Sequence, residues 1–146
     1  AMTEASAGAS IRASLILRGF GEDPQVITEI TGLRPARAGR AGDPLLGPQG
    51  QATSRKVKHA YWSLHSRRDP TAPLTEHVND ILEQLGGAAR LFASLPRPTT
   101  ISLRCTVIRE DELPILSVSS RSLSRLGEIG AELEIDILSV DGPEES

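Results

Sequence analysis

The sequence predicts an α+β fold, a mostly antiparallel sheet with helices on one face and the element order β-α-β-α-β-β-α-β. Several segments alternate apolar and polar residues, which is typical of strands with one buried face. Amphipathic stripes of helical period lie between them and stop at glycine or proline. The second half, α-β-β-α-β, is typical of a ferredoxin-like unit. A length of 146 residues suits one domain.

The first half contains two predicted strands and one predicted helix. Residues 11–18 alternate between apolar and polar side chains and indicate a half-buried strand. Asp23 and Pro24 suit the start of a helix, whose apolar stripe ends at Gly32. Residues 59–65 restore the two-residue period and form the second predicted strand.

The second half opens with the strongest helical pattern of the chain. Its apolar stripe runs from residue 74 to residue 95, with a kink or break expected at Gly86-Gly87, because an interior glycine costs about 1 kcal/mol relative to alanine. The remaining predicted elements are a hairpin of strands at 101–107 and 115–119, a helix from Ser119 or Ser120 to Gly130, and a strand at 133–137.

The segment 39–55 has no periodicity and predicts a long, mobile loop within the domain. We expect residues 1–10 to form a disordered N-terminal segment and residues 11–140 to form the single domain. The acidic residues 141–146 are expected to fray.

Composition narrows the classes of function. Lys plus Arg number 16 against 19 Asp plus Glu, a net charge of −3, so the whole molecule does not attract a polyanion and no nucleic-acid partner is expected. No apolar run approaches the roughly 20 residues that span a bilayer, so no membrane role is expected. The N-terminal residues lack the pattern of a signal peptide, and one cysteine permits no internal disulfide, which predicts a cytoplasmic protein.

Arg34, Arg37 and Arg40 are spaced three apart in a glycine-rich stretch and are the candidate anion-binding residues. One interpretation is structural, because Gly32 and Pro35 suit a helix end and cations near a helix C-terminus are favoured. The alternative is a phosphate or carboxylate site, since a polyproline II conformation would align all three arginines on one edge.

Other residues give no catalytic or metal site. His59 and His65 share a predicted strand face but lie too far apart along it to bind one metal ion. Cys105 belongs to an alternating apolar set and is interpreted as a buried thiol. Trp62 is the predicted anchor of the core. We therefore expect no catalytic residues, no metal and no cofactor, and consider an enzyme the less favoured class.

The polar face of the predicted sheet is a candidate interface. It collects charges of both signs together with apolar exceptions, which are favoured where a second surface covers them. A homodimer or a protein partner is expected on this face. Its residues are Arg12, Ile16, Arg18, Arg104, Ile108, Glu132, Glu134, Asp136 and Leu138.

From about Ile11 to Leu138 the chain resembles the uncharacterised bacterial family known as domain of unknown function 4279. The similarity rests on the Asp23-Pro24 helix entry, the TGLRP helix exit followed by Arg37, the Gly42-Asp43 pair and the WSL segment. The resemblance implies a small bacterial cytoplasmic domain and brings no known activity with it.

Two functions of different class remain open. The first is a non-enzymatic interaction module, of immunity or regulatory type, that binds a protein partner or itself through the open sheet face. The alternative is a small-ligand binder or an enzyme whose anionic substrate is held by the loop of Arg34, Arg37 and Arg40.

Overall fold

The computed structural model describes residues 9–47 and 49–140, which form a five-stranded sheet, a separate two-stranded hairpin and α-helices packed on one sheet face. The strands are β1 (Ala9–Arg18), β2 (Arg37–Gly39), β3 (Pro44–Leu46), β4 (Ala52–Lys56), β5 (Tyr61–His65), β6 (Thr100–Arg109) and β7 (Ala131–Ser139). The helices are α1 (Gln25–Thr31), α2 (Leu74–Leu85) and α3 (Ser120–Glu128), with a 3₁₀ segment at Gly86–Ser94.

The large sheet has the strand order β2-β5-β1-β6-β7. All neighbouring pairs are antiparallel except β6 and β7, which run parallel. Strand β1 is central and pairs with both β5 and β6, so the helix α2 connects two parallel strands that have β1 between them. The predicted class, a mostly antiparallel α+β sheet with helices on one face, is confirmed.

The core lies between the sheet and its helices. Alternate residues of β1 from Ile11 to Leu17 are buried, and so are alternate residues of β6 from Ile101 to Val107. Helix α2 contributes its apolar stripe, and Trp62 of β5 is fully buried. We call the opposite, helix-free side of the sheet the open face.

The helix ends follow the local sequence signals. Asp23 accepts a hydrogen bond from the backbone of Gln25 before α1 begins, and Gly32 ends that helix with a φ of 75°. The Ser119 side chain accepts from the backbone N of Ser122 at 3.1 Å and caps α3. The stripe from 74 to 95 is interrupted at Gly86, where α2 gives way to the 3₁₀ segment.

The predicted hairpin of 101–107 with 115–119 is wrong. Residues 115–119 form no ladder, although Leu116 and Val118 pack against the core. The reason is that β6 has only two edges, which β1 and β7 occupy. The second half therefore runs α2-β6-α3-β7 instead of α-β-β-α-β.

The segment 39–55 is not a structureless loop. It contains β3 and β4, which pair as an antiparallel hairpin, and its base is closed where Gly42 N donates to Val57 O and Val57 N donates to Asp43 O, both at 2.8 Å. Every residue of the two strands is exposed, so no alternation of apolar and polar side chains marks them. Strand β1 begins at Ala9, inside the predicted N-terminal segment; residues 1–8 and the tail 141–146 lie outside the described residues.

Candidate functional site

The hairpin of β3 and β4 lies over one end of the open face and encloses a cleft of about 700 Å³. Strands β1 and β5 supply the floor of this sheet-face cleft, β2 supplies one side, and the hairpin and the residues that follow it supply the other. The lining residues are Ser14, Ile16, Arg18, Arg37, Leu45, Arg55, Lys56, Val57, Lys58, His59, Tyr61, Ser63 and His65.

The lining of the cleft contains cations and no carboxylate. Arg18 comes from β1 and Arg37 from β2, while Arg55, Lys56 and Lys58 come from β4 and the residues after it. Across the described part of the chain, none of these cations forms an ion pair. Like charges gathered around one concave surface create a positive potential that attracts a small anion.

Part of the lining is apolar. Ile16 of β1, Leu45 of β3, Val57 and the ring of Tyr61 contribute to the cleft. Tyr61 lies directly against β2, because a Cβ at Gly39 would be 2.8 Å from Tyr61 Cε1, so glycine is required for this close approach. The cleft therefore suits a molecule with both an anionic group and an apolar body.

His65 and Ser63 are neighbours on the same side of β5. The Ser63 hydroxyl donates to the carbonyl of Arg37 and lies 3.5 Å from His65 Nε2. Partial burial and, secondarily, the positive charge of Arg37 lower the pKa of His65 below its ordinary value. The imidazole is therefore neutral at pH 7 and gains a charge only in more acidic solution.

The structure does not bring the three candidate anion-binding arginines together. Arg37 lines the cleft, but Arg34 is exposed outside it, and Arg40 pairs with Asp23 at 2.9 Å. The reason is that Arg37 begins an extended strand instead of a polyproline II turn. Side chains three residues apart on extended chain point to opposite sides.

The sequence interpretation missed the other cations of the cleft. The signal is the run RKVKH over 55–59, where cationic and histidine side chains surround a single valine. What the run cannot indicate is that the hairpin carries it onto the open face beside Arg37. His59 and His65, judged too far apart along a strand, line the same cleft because β5 begins only at Tyr61.

The residues predicted as an interface all lie on the open face, as the pairing registers of β1, β6 and β7 place them. Their charges are separated: the acids Glu132, Glu134 and Asp136 lie on the outermost strand, away from the cations of the cleft. Arg104 pairs with Glu134 across β6 and β7 at 3.2 Å. Ile16 lies in the cleft, under the hairpin.

A serine and a histidine meet elsewhere, on the helix side of the sheet. Ser66 Oγ lies 2.7 Å from His77 Nδ1, and burial lowers the pKa of His77 against the opposing charges of Asp80 and Glu76. His77 Nε2 is buried and has no hydrogen-bond partner among residues 9–47 and 49–140. With no cavity at this pair, it is a structural contact of the core.

A second cavity, of about 660 Å³, lies between the 3₁₀ segment and α3. Its arginines Arg90, Arg97 and Arg125 are accompanied by Glu128, and much of its lining is glycine. The described residues contain no group of histidine, cysteine, aspartate and glutamate side chains that could hold a metal ion. In the same part of the chain, no helix is long and apolar enough to cross a membrane.

Fold and site define a class, a small α+β domain with a cationic cleft between its sheet and a hairpin. Over residues 9–140 the chain matches the family described as domain of unknown function (DUF4279), and it belongs to that family. No curated protein and no solved structure matches the chain.

Proposed function

We propose that this protein binds a small ligand with an anionic group and an apolar body in the sheet-face cleft. The observation that carries the proposal is the set of cations around the cleft, none ion-paired with another described residue and with no carboxylate among the lining residues. The arginines suit bidentate contacts to a phosphate, sulfate or carboxylate group.

The size and polarity of the cleft support a small molecule in place of a polymer. A volume of about 700 Å³ falls in the range of ligand pockets, and the apolar side chains Ile16, Leu45 and Val57 give an organic body something to pack against. The net charge of −3 argues against a long polyanion, which would meet repulsion beyond the cleft.

Calorimetric titration with phenyl phosphate, inorganic phosphate and phenol tests the proposal. Phenyl phosphate is expected to bind most tightly, phosphate more weakly and phenol not at all. Arg37→Gln and Arg55→Gln should each weaken phenyl phosphate binding about tenfold, the loss of one charge-assisted contact. The matched control is Arg34→Gln, which removes the same charge outside the cleft.

Two results would contradict the proposal. One is the absence of heat from phenyl phosphate at millimolar concentration. The other is an equal loss of affinity in Arg34→Gln and Arg37→Gln, which would assign binding to the overall charge and not to the cleft.

A second candidate is the protein-interaction role, of immunity or regulatory type, through the part of the open face that the hairpin leaves uncovered. Leu138 is 52% exposed and lies beside Ile108 in the register of β6 and β7. If the protein self-associates there, Leu138→Asp should convert a dimer to a monomer in light scattering, whereas Val140→Asp, beyond the end of β7, should not. A monomer at every concentration would remove the homodimer.

A further inference from the structure

The outer edge of β7 is a long, open edge of the sheet. The strand has nine residues, Ala131–Ser139, and pairs with β6 on one side only; no strand in the described ranges pairs with its other side. The opposite edge strand, β2, has only three residues. An exposed edge carries unpaired backbone N–H and C=O groups that can pair with another extended chain.

The helix-facing side of β7 is apolar and incompletely covered. Ile135 and Ile137 are neighbours of the buried residues Cys105 and Val107 in the parallel register, yet they are 39% and 46% exposed. Leu123 of α3, the helix that contacts β7, is 47% exposed. The apolar layer of the core thus continues to the sheet edge and stops there without a cover.

The other side of β7 is acidic. Glu132, Glu134 and Asp136 alternate with the apolar residues, and only Glu134 has an ion pair, with Arg104. An extended chain added to this edge would place every second side chain beside these carboxylates. Lysine or arginine at those positions would form opposite-charge cross-strand pairs.

A second copy of this chain fits the edge poorly. A two-fold axis centred on Glu134, Ile135 or Asp136, in the middle of the strand, would set carboxylates of one β7 opposite carboxylates of the other. Like charges directly opposite destabilise a strand pair. The charge of the edge therefore selects a different, basic occupant.

We propose that the outer edge of β7 binds an extended segment of a protein partner in which apolar residues alternate with lysine or arginine. The segment adds a strand to the sheet by backbone hydrogen bonds. Its apolar side chains cover Ile135 and Ile137, and its cations face Glu132, Glu134 and Asp136. This interaction is independent of ligand binding in the cleft.

Two synthetic peptides of the length of β7 test the proposal on the unchanged protein. One alternates valine with lysine, and the other alternates valine with glutamate. Fluorescence anisotropy is expected to give at least tenfold tighter binding of the lysine peptide. Hydrogen exchange should slow at residues 131–139 on binding. Equal binding of both peptides, binding of neither, or protection confined to other strands would overturn the proposal.

Charge reversal gives a second test with a matched control. The double variant Glu132→Lys with Asp136→Lys changes two exposed side chains and should reverse the preference toward the glutamate peptide. The control, Glu29→Lys with Glu83→Lys, makes the same change of net charge at exposed positions on α1 and α2 and should keep the preference for lysine. A preference that follows net charge in both variants would refute a specific edge.

Discussion

The indole N–H of Trp62 donates to the hydroxyl of Thr28 at 3.0 Å, which joins strand β5 to helix α1 through a side chain with no exposed surface. The ring fills the core while its only polar atom is satisfied. Burial and hydrogen bonding therefore act together at this position.

Trp62→Ala is expected to lower the free energy of unfolding by about 3 to 5 kcal/mol, because it leaves a large cavity. A double-mutant cycle of Trp62→Phe and Thr28→Val isolates the hydrogen bond, with a coupling of about 1 kcal/mol expected from urea unfolding. Strict additivity in the cycle would mean that the contact contributes nothing beyond packing.

Acid should destabilise the protein through Asp80. Burial alone would raise the pKa of this carboxyl, but the backbone N and the guanidinium of Arg67, both at 2.8 Å, and the amide of Gln84 outweigh it and lower the pKa to about 2. In the unfolded chain the pKa is about 3.9. Between these values the unfolded state binds more protons, so stability present above about pH 4 is lost as the pH falls to about 2.

Asp80→Asn is expected to remove that part of the pH dependence and to cost on the order of 2 kcal/mol at pH 7, from the loss of charge-assisted hydrogen bonds. Urea unfolding measured from pH 2 to pH 7 checks both effects. The exposed Glu29→Gln serves as control and should follow the unchanged protein. An Asp80→Asn variant with the full acid dependence would show that other carboxyls cause it.

Anion binding in the cleft should strengthen in acid because of His65. Its pKa is lowered, so it is neutral at pH 7 and gains a positive charge only as the pH falls through that depressed value. Sulfate is a suitable probe because its own charge stays constant from pH 8 to pH 5. Calorimetry should show affinity rising over this range, and rising less in His65→Gln.

His59 also lines the cleft, so the control is His59→Gln, measured alone and together with His65→Gln. The rise in sulfate affinity should be smallest in the double variant. The same rise in all four proteins would exclude both imidazoles as its source.

Cys105 is expected to be unreactive in the folded protein. It has no exposed surface, and burial raises the pKa of its thiol to about 11, so very little thiolate forms at pH 8. Labelling with a chromogenic disulfide reagent should be slow in buffer and immediate in denaturing urea. Rapid labelling of the native protein would mean that β6 opens locally.

The sequence predicts the elements whose burial repeats regularly. Strands β1 and β6 and helix α2 each bury one face along their whole length, so their apolar residues recur at a fixed period. The same reasoning fails for residues 115–119, because alternation reports which side chains are buried and not which backbone groups pair. Leu116 and Val118 pack on the core without a ladder.

The cleft was only partly predictable. Arg37 is flagged by its spacing, but its partners Arg55, Lys56 and Lys58 come from a hairpin with no buried face. The position of that hairpin over the open face is a tertiary relationship between β3, β4 and strands far along the chain. No local pattern encodes it, and the polarity of the hairpin reads as a loop.

The central position of β1 also governs how the protein emerges from the ribosome. β1 precedes both of its partner strands, and 82 residues separate Arg18 from Thr100, its neighbour on β6. At 5 to 20 residues per second, β1 waits about 4 to 16 seconds after its own synthesis before β6 exists. During that interval Leu15 and Leu17 have no completed sheet to enter, so nascent chains stalled before β6 are the form most exposed to chaperones and to aggregation.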